Sequence, residues 1–551
     1  MERLASYSRQ YILKNEKKRF TLHIVLSIFA FVCMIVVPLL NSQLIDIMST
    51  ASSYNDLIWP IIFATSINVF STAMSYLSSI NMVFLLSHCQ YSAISSTITH
   101  IQKIPLKDLQ GHFDAAYLTQ RITSDTNTVI NFYCEHCIQK YLYAGNILAI
   151  SYILLLLDSS LLLICAVFSA LYGGIYFFLK TPLSQAMEQS KDTTAIFHKA
   201  LFNRLKHLVP IKTGALFEED ELNTEKHFLM YQRNLLKLSM LVQTFSSLDG
   251  IISAFFQAAI FLIGGIQVIQ ENMTIGQYLI VNFYFSFFLK SIKYYFNYGK
   301  SYQDAHTSYF RLRNLLDIEE EPNGLSIPNK INQITLKNMT FSFRPNECNL
   351  FNQFELKLST PGLWILKGEN GSGKTTLINI LIGLFSPIAN TSIQVNDYLS
   401  SSDINWYALR KKRISILSQN EDKSDLSVNE YLSFFCGSSV NSMATEIADP
   451  LLIDLFFGPC FNLSKIQNHA IINLSGGEWQ RVRLFKALIK DADVYFFDEP
   501  TNNLDQESIR SLKSYITKLR KSKILLITSH DNTFDSIASK VIFLEKGGHY
   551  K

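Results

Sequence analysis

Charged side chains are scarce in this chain of 551 residues, in which Asp, Glu, Lys and Arg together make up 17%. Soluble domains usually carry about a quarter charged residues. Cysteine is also sparse, because 8 cysteines in a chain of this length exclude a disulfide-stabilised secreted scaffold. The excess of basic over acidic residues is only +4, which argues against the strongly basic surface of a nucleic-acid-binding protein. We therefore expect no nucleic-acid partner.

Apolar side chains, in contrast, are abundant. Hydrophobic residues reach 48%, with 40 Phe and 26 Tyr, and this excludes an intrinsically disordered protein. The long apolar runs lie before about residue 300, and each can reach the roughly 20 residues that a helix needs to cross a bilayer. They lie at about residues 22–44, 57–86, 131–157, 160–179, 241–268 and 275–298. A soluble domain of buried helices is the alternative, but such helices normally keep a polar face.

Lysine and arginine are unevenly distributed among the connections between these runs. The short connections after the first, third and fifth runs contain neither residue, whereas the long ones after the second and fourth runs are basic. The basic residues of the long connections include Lys103, Lys107, Arg121, Lys180, Lys191, Lys199, Arg204, Lys206 and Lys212. Because cytoplasmic loops collect positive charge, the pattern predicts six spans, with both termini and both long loops in the cytoplasm.

A few ionisable residues lie within the predicted spans, with Asp249 in the fifth and Lys290 and Lys293 in the sixth. A charge in hydrocarbon is costly unless it faces a cavity or a partner. These residues therefore either line a polar pathway or lie near the cytoplasmic interface, where their side chains snorkel to water.

The pair Cys134 and Cys137 offers too few ligands for a structural zinc site, which usually has four. We predict no metal at this pair.

A glycine-rich segment follows a short apolar strand in the C-terminal part of the chain. It reads G-x-x-x-x-G-K-T from Gly368 to Thr375 and leads into a helical pattern. In this P-loop context, backbone N–H groups and a helix N-terminus bind phosphates, the lysine reaches the β- and γ-phosphates and the threonine hydroxyl ligates Mg²⁺. We therefore predict ATP and Mg²⁺ as ligands. The predicted phosphate-binding residues are Gly368, Glu369, Asn370, Gly371, Ser372, Gly373, Lys374, Thr375 and Thr376.

A second apolar strand, at residues 494–498, ends in two acidic residues. Asp498 is placed to hold Mg²⁺, as the Walker B aspartate does in P-loop ATPases. Glu499 follows directly and can orient or deprotonate the attacking water. The pattern predicts an ATP-hydrolysing site with Glu499 as the general base.

Further motifs in this part of the chain resemble those of ATP-binding cassette (ABC) proteins. Residues 474–478, Leu-Ser-Gly-Gly-Glu, resemble the LSGGQ signature with Glu in the last place. Gln419 looks like the Q-loop residue, residues 502–505 like the D-loop and His530 like the H-loop residue, while Phe343 matches the aromatic position that stacks on adenine. Every motif stands in the family order, so the resemblance covers residues from about 331 to 551.

The resemblance implies that two cassettes dimerise head to tail, with ATP between the P-loop of one and the signature of the other. Gln419, Glu499 and His530 would act within one chain, and Gln419 would join Thr375 and Asp498 at the metal. Ser475 and Gly477 would act on the γ-phosphate bound by the partner. A homodimer would then have two competent sites.

The order of the two parts resembles that of an ABC exporter half-transporter of the type IV fold. The expected fold class is a multidomain membrane protein: a six-helix transmembrane domain (residues 1–320), a linker (321–330) and an α/β P-loop cassette (331–551). The resemblance implies ATP-driven export by alternating access across a bacterial cytoplasmic membrane, with the cassette in the cytoplasm.

The exported substrate is less sharply indicated. Residues 528–534, Thr-Ser-His-Asp-Asn-Thr-Phe, look like those of exporters of cyclic or modified peptides and microcins. This favours a peptide antibiotic, secreted with self-immunity. Multidrug, lipid or lipid-linked oligosaccharide export is the alternative, and a membrane-anchored regulatory ATPase without transport is an alternative of another class. Since no peptidase-like segment precedes the first span, we expect no processing of a leader peptide.

Overall fold

The structure is a computed structural model. It describes residues 6–7, 9–11, 16–50, 55–109, 115–157, 159–343, 349–385, 392–419, 421–447, 449–458 and 461–545. The chain divides into two compact units. Met1–Thr99 and Ala115–Asp317 form the helical unit, and His100–Asp114 and Ile318–Lys551 form the cassette unit.

Six long helices dominate the part of the chain described before residue 317, and two short ones lie between them. In chain order they are α1 (Lys17–Thr50), α2 (Asn55–Ile101), α3 (Leu106–Leu109), α4 (Ala115–Leu157), α5 (Ser159–Lys206), α6 (Leu208–Gly214), α7 (Phe217–Ile269) and α8 (Ile275–Leu316). Each long helix contains one of the six apolar runs, so the predicted six-helix region is confirmed.

The long helices differ in how apolar they are. Over the described residues, α1, α2 and α7 have stretches long and apolar enough to cross a membrane on composition alone, at Lys17–Met48, Leu57–Ile101 and Phe217–Ile269. Helix α5 qualifies if Leu163–Leu179 and the bent continuation Thr181–Lys206 count as one span. Helices α4 and α8 do not meet this test over the described residues, although each contains one of the six apolar runs.

Helix α8 packs against several other helices of its unit. It begins at a capping box, in which the Thr274 hydroxyl accepts from the Gln277 backbone N–H at 3.0 Å. Asp46 near the end of α1 accepts from the Thr274 hydroxyl and from the Gly276 N–H, both at 3.0 Å. These bonds satisfy donors that a helix N-terminus otherwise leaves free. The buried cluster around α8 contains Ile150, Leu154, Phe256, Ile260, Tyr284, Phe285 and Phe288.

Two sheets form the described part of the cassette unit. The strands are β1 (Gln333–Phe341), β2 (Phe351–Ser359), β3 (Gly362–Gly368), β4 (Ser392–Val395), β5 (Leu399–Ser400), β6 (Ile414–Leu417), β7 (Val494–Asp498), β8 (Ile524–Thr528) and β9 (Lys540–Leu544). An antiparallel sheet has the order β2-β1-β4-β5, and a parallel sheet has the order β6-β7-β8-β3-β9. Strands β7 and β8 are fully buried, as expected of a parallel sheet covered on both faces.

The helices of the cassette surround these sheets. They are α9 (Lys374–Leu381), α10 (Trp406–Lys412), α11 (Val428–Cys436), α12 (Val440–Glu446), α13 (Pro450–Phe457), α14 (Leu463–Ile466), α15 (Gly476–Ile489) and α16 (Gln506–Leu519). The short segment that precedes and includes α3 also belongs to this unit. There Glu321 N–H donates to the Lys103 carbonyl at 2.7 Å, the Glu320 carboxylate lies 3.0 Å from His100 Nδ1, and Leu106 packs against the core of the sheets.

Candidate nucleotide site

The predicted nucleotide-binding residues follow neighbouring strands of the parallel sheet. Gly368 ends β3, Asp498 ends β7, and Gln419 and His530 come two residues after β6 and β8. Because the carboxyl ends of parallel strands meet at one edge of a sheet, these residues share a crevice of the kind in which α/β proteins bind ligands. One cleft at this edge contains most of the predicted nucleotide-binding residues, although Gly368 and His530 do not line it. It is lined by Phe343, Leu350, Asn370, Gly371, Gly373, Lys374, Thr375, Thr376, Gln419, Asp498 and Glu499.

The loop after β3 is built for close approach of its backbone to a ligand. Gly371 and Gly373 have φ of +82° and +97°, which L-residues with a side chain rarely adopt. A Cβ at Gly373 would also lie 2.8 Å from the Phe351 ring. The Ser372 side chain is buried, and no donor or acceptor within the described residues satisfies its Oγ. An orphaned hydroxyl in a glycine-rich loop at a helix N-terminus fits a phosphate ligand.

Lys374 is the first residue of α9 and is mostly buried. Its Nζ donates to the Gly368 carbonyl at 2.7 Å and to the Glu369 carbonyl at 3.0 Å, so the side chain curls back over the loop. Burial lowers the pKa of Lys374, while the carboxylates of Glu499 and Asp498 act in the opposite direction. Among the described residues the buried ammonium bonds only to these neutral carbonyls, which leaves it well placed to bind an anionic phosphate.

Asp498 is held by two threonine hydroxyls. The Thr375 Oγ1 donates to Asp498 Oδ2 at 2.7 Å, and the Thr528 Oγ1 donates to Asp498 Oδ1 at 2.5 Å. This places a hydroxyl and a carboxylate, the oxygen ligands that Mg²⁺ prefers, side by side in the cleft. The described residues fit the predicted metal: Thr375 and Asp498 would hold it, and Gln419 lines the same cleft.

Glu499 has an unusual backbone conformation for a glutamate, with φ of +52°. Its N–H donates to the Thr528 hydroxyl at 3.0 Å, which holds the turn in place. The side chain is only 13% exposed, accepts a hydrogen bond from Asn502, and lies 3.1 Å from His530 Nε2. This conformation costs a non-glycine residue about 1–3 kcal/mol, and residues strained in this way cluster at active sites and ligand clamps. His530 is therefore paired with Glu499, although it does not itself line the cleft.

The signature residues do not line this cleft. Ser475 is the N-cap of α15 and forms a capping box with Glu478, whose Oε2 accepts from the Ser475 N–H and hydroxyl at 2.8 Å each. These two bonds lower the pKa of Glu478. Gly477 packs so closely that a Cβ there would lie 2.9 Å from the Asn503 carbonyl oxygen. Within one chain, the cleft residues therefore do not include Ser475 and Gly477. The catalytic and binding roles predicted for both sets of residues stay predictions.

Sequence reasoning missed a polar network that connects α15 to two of these motifs. Arg483 Nη1 donates to the Ser418 carbonyl at 2.9 Å and to the Gln419 carbonyl at 3.1 Å, and its Nη2 donates to Gln480 Oε1. Gln480 Nε2 in turn donates to the Pro500 carbonyl at 3.2 Å. The chain of bonds links the backbone beside Gln419 to the turn that carries Glu499. The only signal of it in the sequence is an arginine among apolar residues of α15, and that signal does not identify the partners.

A second connection runs from α15 to Glu421. The Lys486 Nζ lies 2.6 Å from Glu421 Oε1, which also accepts a hydrogen bond from the Tyr431 hydroxyl. The Trp479 Nε1–H donates to the Glu421 carbonyl at 3.2 Å. Burial raises the pKa of Tyr431, and the neighbouring Glu421 carboxylate raises it further. Both sides of the Gln419 segment are therefore fixed to the helix that begins at the signature.

In the helical unit, the structure pairs two of the three ionisable residues that the sequence singled out. Asp249 and Lys293 form an ion pair with an N–O distance of 2.8 Å, and the Tyr172 hydroxyl donates to the same carboxylate at 2.6 Å. Lys290 is exposed and is not part of this ion pair. Asp249 thus has two partners within its unit, which lowers the cost of a charge in an apolar span.

Comparison with known proteins identifies both parts of the chain. The family "ABC transporter transmembrane region" matches residues 20–292, and the family "ABC transporter" matches residues 351–502. A solved structure of a bacterial Atm1-family ABC exporter with ATP bound superimposes with a TM-score of 0.83 over 96% of this chain and 94% of that chain, at 14% identity.

Curated relatives include transporters with different substrates in their names. An ATP-dependent lipid A-core flippase of Colwellia psychrerythraea is 26% identical over 303 residues, which cover 54% of this chain and 51% of the flippase. The lactococcin-G-processing and transport ATP-binding protein LagD of Lactococcus lactis is 21% identical over 498 residues, covering 87% of this chain and 68% of that protein. The chain spans about half the length of the flippases it matches.

These findings confirm the predicted fold class, the ABC-type ATPase domain and the multi-pass location in a bacterial cytoplasmic membrane. The two family matches lie in the order transmembrane region, then cassette, within one polypeptide. The chain therefore belongs to the ABC transporter family, with the fused arrangement of an exporter half-transporter.

Proposed function

We propose that two copies of this chain form an ATP-driven exporter that moves a peptide out of the cell. The observation that carries the proposal is the incompleteness of the site in one chain. The cleft brings together the P-loop, Gln419, Asp498 and Glu499, but not Ser475 or Gly477. A second cassette that places its signature over this cleft would complete the site, as the family resemblance implies.

The described residues divide the chemistry among themselves. Backbone N–H groups of the loop at Gly371 and Gly373, together with Lys374, would bind the ATP phosphates. Thr375 and Asp498 would hold Mg²⁺, which, when bound, neutralises charge on the phosphate oxygens. Glu499 would orient the attacking water and accept its proton. His530, whose Nε2 lies 3.1 Å from the Glu499 carboxylate, would hold that carboxylate in position. Phosphoryl transfer needs this kind of positioning and charge neutralisation rather than covalent catalysis by the protein.

A mixing experiment tests whether the signature acts on the partner's site. Lys374→Ala and Ser475→Arg should each abolish ATP hydrolysis in a homodimer. Mixed dimers, however, keep one site with an intact P-loop and an intact signature. Because random pairing makes half of the dimers mixed, the mixture should regain about a quarter of wild-type ATPase activity. Phosphate release from the co-reconstituted variants, compared with that from the wild type, measures this activity. If the mixture stays as inactive as the single variants, both motifs act within one chain and the proposed dimer is wrong.

A peptide is favoured as substrate by the extent of the likeness to LagD. A match over 87% of the chain must include most of the helical unit, whereas a match over 54%, as with the flippase, need include only a small part of it. In this family the transmembrane region lines the path of the substrate. A relative that is similar over more of this region is therefore the better guide to the substrate. Export of a lipid is the second candidate, because the flippases match at somewhat higher identity.

Uptake into inverted membrane vesicles separates these candidates. We expect ATP to drive accumulation of a fluorescent bacteriocin-like peptide, and the Glu499→Gln chain in matched vesicles should accumulate none. A labelled lipid A analogue should not change leaflet on addition of ATP. The opposite result, with lipid flipped and peptide left outside, would support the flippase. Hydrolysis without movement of either compound would support a regulatory ATPase.

A further inference from the structure

One side of α8 is polar over a long stretch. Side chains at alternating steps of four and three residues lie on one face of a helix. Six such positions form what we call the polar stripe, and they are Ser286, Lys290, Lys293, Asn297, Lys300 and Asp304. The buried residues Tyr284, Phe285, Phe288 and Ser291 lie on other faces. The stripe begins inside the matched transmembrane region, which extends to residue 292.

The stripe carries more positive than negative charge after its ion pairs are counted. Lys293 is paired with Asp249 at 2.8 Å, and Asp304 is paired with Lys191 at 2.8 Å. Lys290 and Lys300 are both exposed, and neither has a carboxylate within 4.0 Å among the described side chains. Within the described part of one chain, two ammonium groups are therefore left without a counter-ion.

The depth of Lys290 makes this charge significant. It comes 15 residues after Ile275, which is about 22 Å along the helix axis, in a hydrocarbon layer about 30 Å thick. A side chain on a helix leans toward the helix N-terminus, which for α8 is the predicted outer end, so it leans away from the nearer water. An unpaired ammonium at this depth needs a water-filled cavity or an anion.

We propose that Lys290 and Lys300 bind carboxylate groups of an acidic amphipathic peptide as it passes through the exporter. The inference rests on the proposed function and adds the charge of the substrate. The two lysines are ten residues apart, about 15 Å along the helix axis. A lipid presents its charge at one depth, in its headgroup. A peptide that lies along the stripe can present carboxylates at both depths, which is why the occupant assigned here is a peptide.

The test uses the full chain in nanodiscs of phosphatidylcholine and two synthetic amphipathic peptides, one with glutamates on its polar face and a twin with glutamines. We measure the peptide concentration that gives half-maximal stimulation of ATP hydrolysis. The double variant Lys290→Gln with Lys300→Gln should raise this concentration about tenfold for the glutamate peptide, which corresponds to about 1.4 kcal/mol. The concentration for the glutamine twin should stay unchanged. Lys226→Gln, which removes an exposed lysine of α7 away from the stripe, should change neither value.

Charge reversal gives a gain of binding that a misfolded protein could not show. The variant Lys290→Glu with Lys300→Glu should prefer a twin peptide that carries lysines. An equal loss for both original peptides would assign the two lysines a structural role and overturn the inference. Equal responses of the wild type to both peptides would overturn it while leaving peptide export intact. No response to any peptide would overturn both proposals. A response to phosphatidylglycerol that depends on the lysines, without discrimination between peptides, would overturn it in favour of a lipid headgroup.

Discussion

Replacing Glu499 with glutamine is expected to slow ATP hydrolysis by about 10²–10⁴-fold, the usual contribution of a general base. Glutamine has nearly the same shape as glutamate, but its amide cannot take a proton from water. The partners of the glutamate are defined in the structure: it accepts a hydrogen bond from Asn502 and lies 3.1 Å from His530 Nε2. ATP binding should persist, because the loop and Lys374 are unchanged. Phosphate release at saturating ATP and equilibrium binding of a fluorescent ATP analogue measure the two effects separately.

A matched control is Lys374→Met, which removes the ammonium that lies over the loop, at 2.7 Å from the Gly368 carbonyl. This variant should lose ATP binding as well as hydrolysis, since its charge contacts the phosphates before any chemistry occurs. Glu499→Gln should bind ATP and fail to hydrolyse it. Hydrolysis by Glu499→Gln within about tenfold of the wild-type rate would mean that another group activates the water.

The conformation of the glycine-rich loop after β3 could be predicted from the sequence because its geometry is local. Gly371 and Gly373 need positive φ, Lys374 starts the helix, and all lie within a few residues of each other. The same holds for Asp498, which ends a strand that is buried along its whole length. A short apolar run that stops at a carboxylate is a local pattern, and it places that carboxylate at the edge of a buried sheet. Backbone conformations that only certain residue types adopt can be predicted from a sequence, whereas tertiary contacts cannot.

The lengths of the transmembrane helices illustrate what hydropathy cannot show. The second apolar run ends near residue 86, yet α2 continues to Ile101. The continuation is rich in Ser, Thr and His, which are compatible with a helix in water but carry no apolar signal. Hydropathy reports where a helix meets lipid, so it does not predict the polar continuations of α2, α5 and α8.

The network around Arg483 could not be predicted for a different reason. Its partners at Ser418 and Gln419 are more than sixty residues away along the chain, and the bonds go to backbone carbonyls, which are the same for every residue type. No pattern of side chains marks such a contact in a single sequence. What the sequence offers is only a charged residue among apolar neighbours in α15, which is buried in the structure.

Replacing Arg483 with alanine is the second large effect that we expect. Arg483 is 8% exposed, and its guanidinium makes three hydrogen bonds, to the Ser418 and Gln419 carbonyls and to Gln480. Hydrogen bonds from charged donors contribute about 1.5–3 kcal/mol each, so the segment that carries Gln419 should lose its fixed position in the cleft. We expect ATP hydrolysis to fall about tenfold, which corresponds to about 1.4 kcal/mol of transition-state stabilisation.

The Mg²⁺ dependence of the reaction distinguishes lost positioning from lost folding. If Arg483 positions Gln419 beside the metal ligands, Arg483→Ala should need several times more Mg²⁺ for half-maximal hydrolysis, and Arg483→Lys should recover part of the difference, since an ammonium can still reach one carbonyl. The control Arg510→Ala removes an exposed arginine of α16 and should match the wild type. A lower rate with an unchanged Mg²⁺ requirement would show that Arg483 only stabilises the cassette, because a smaller folded fraction lowers the rate without changing the affinity of each folded site.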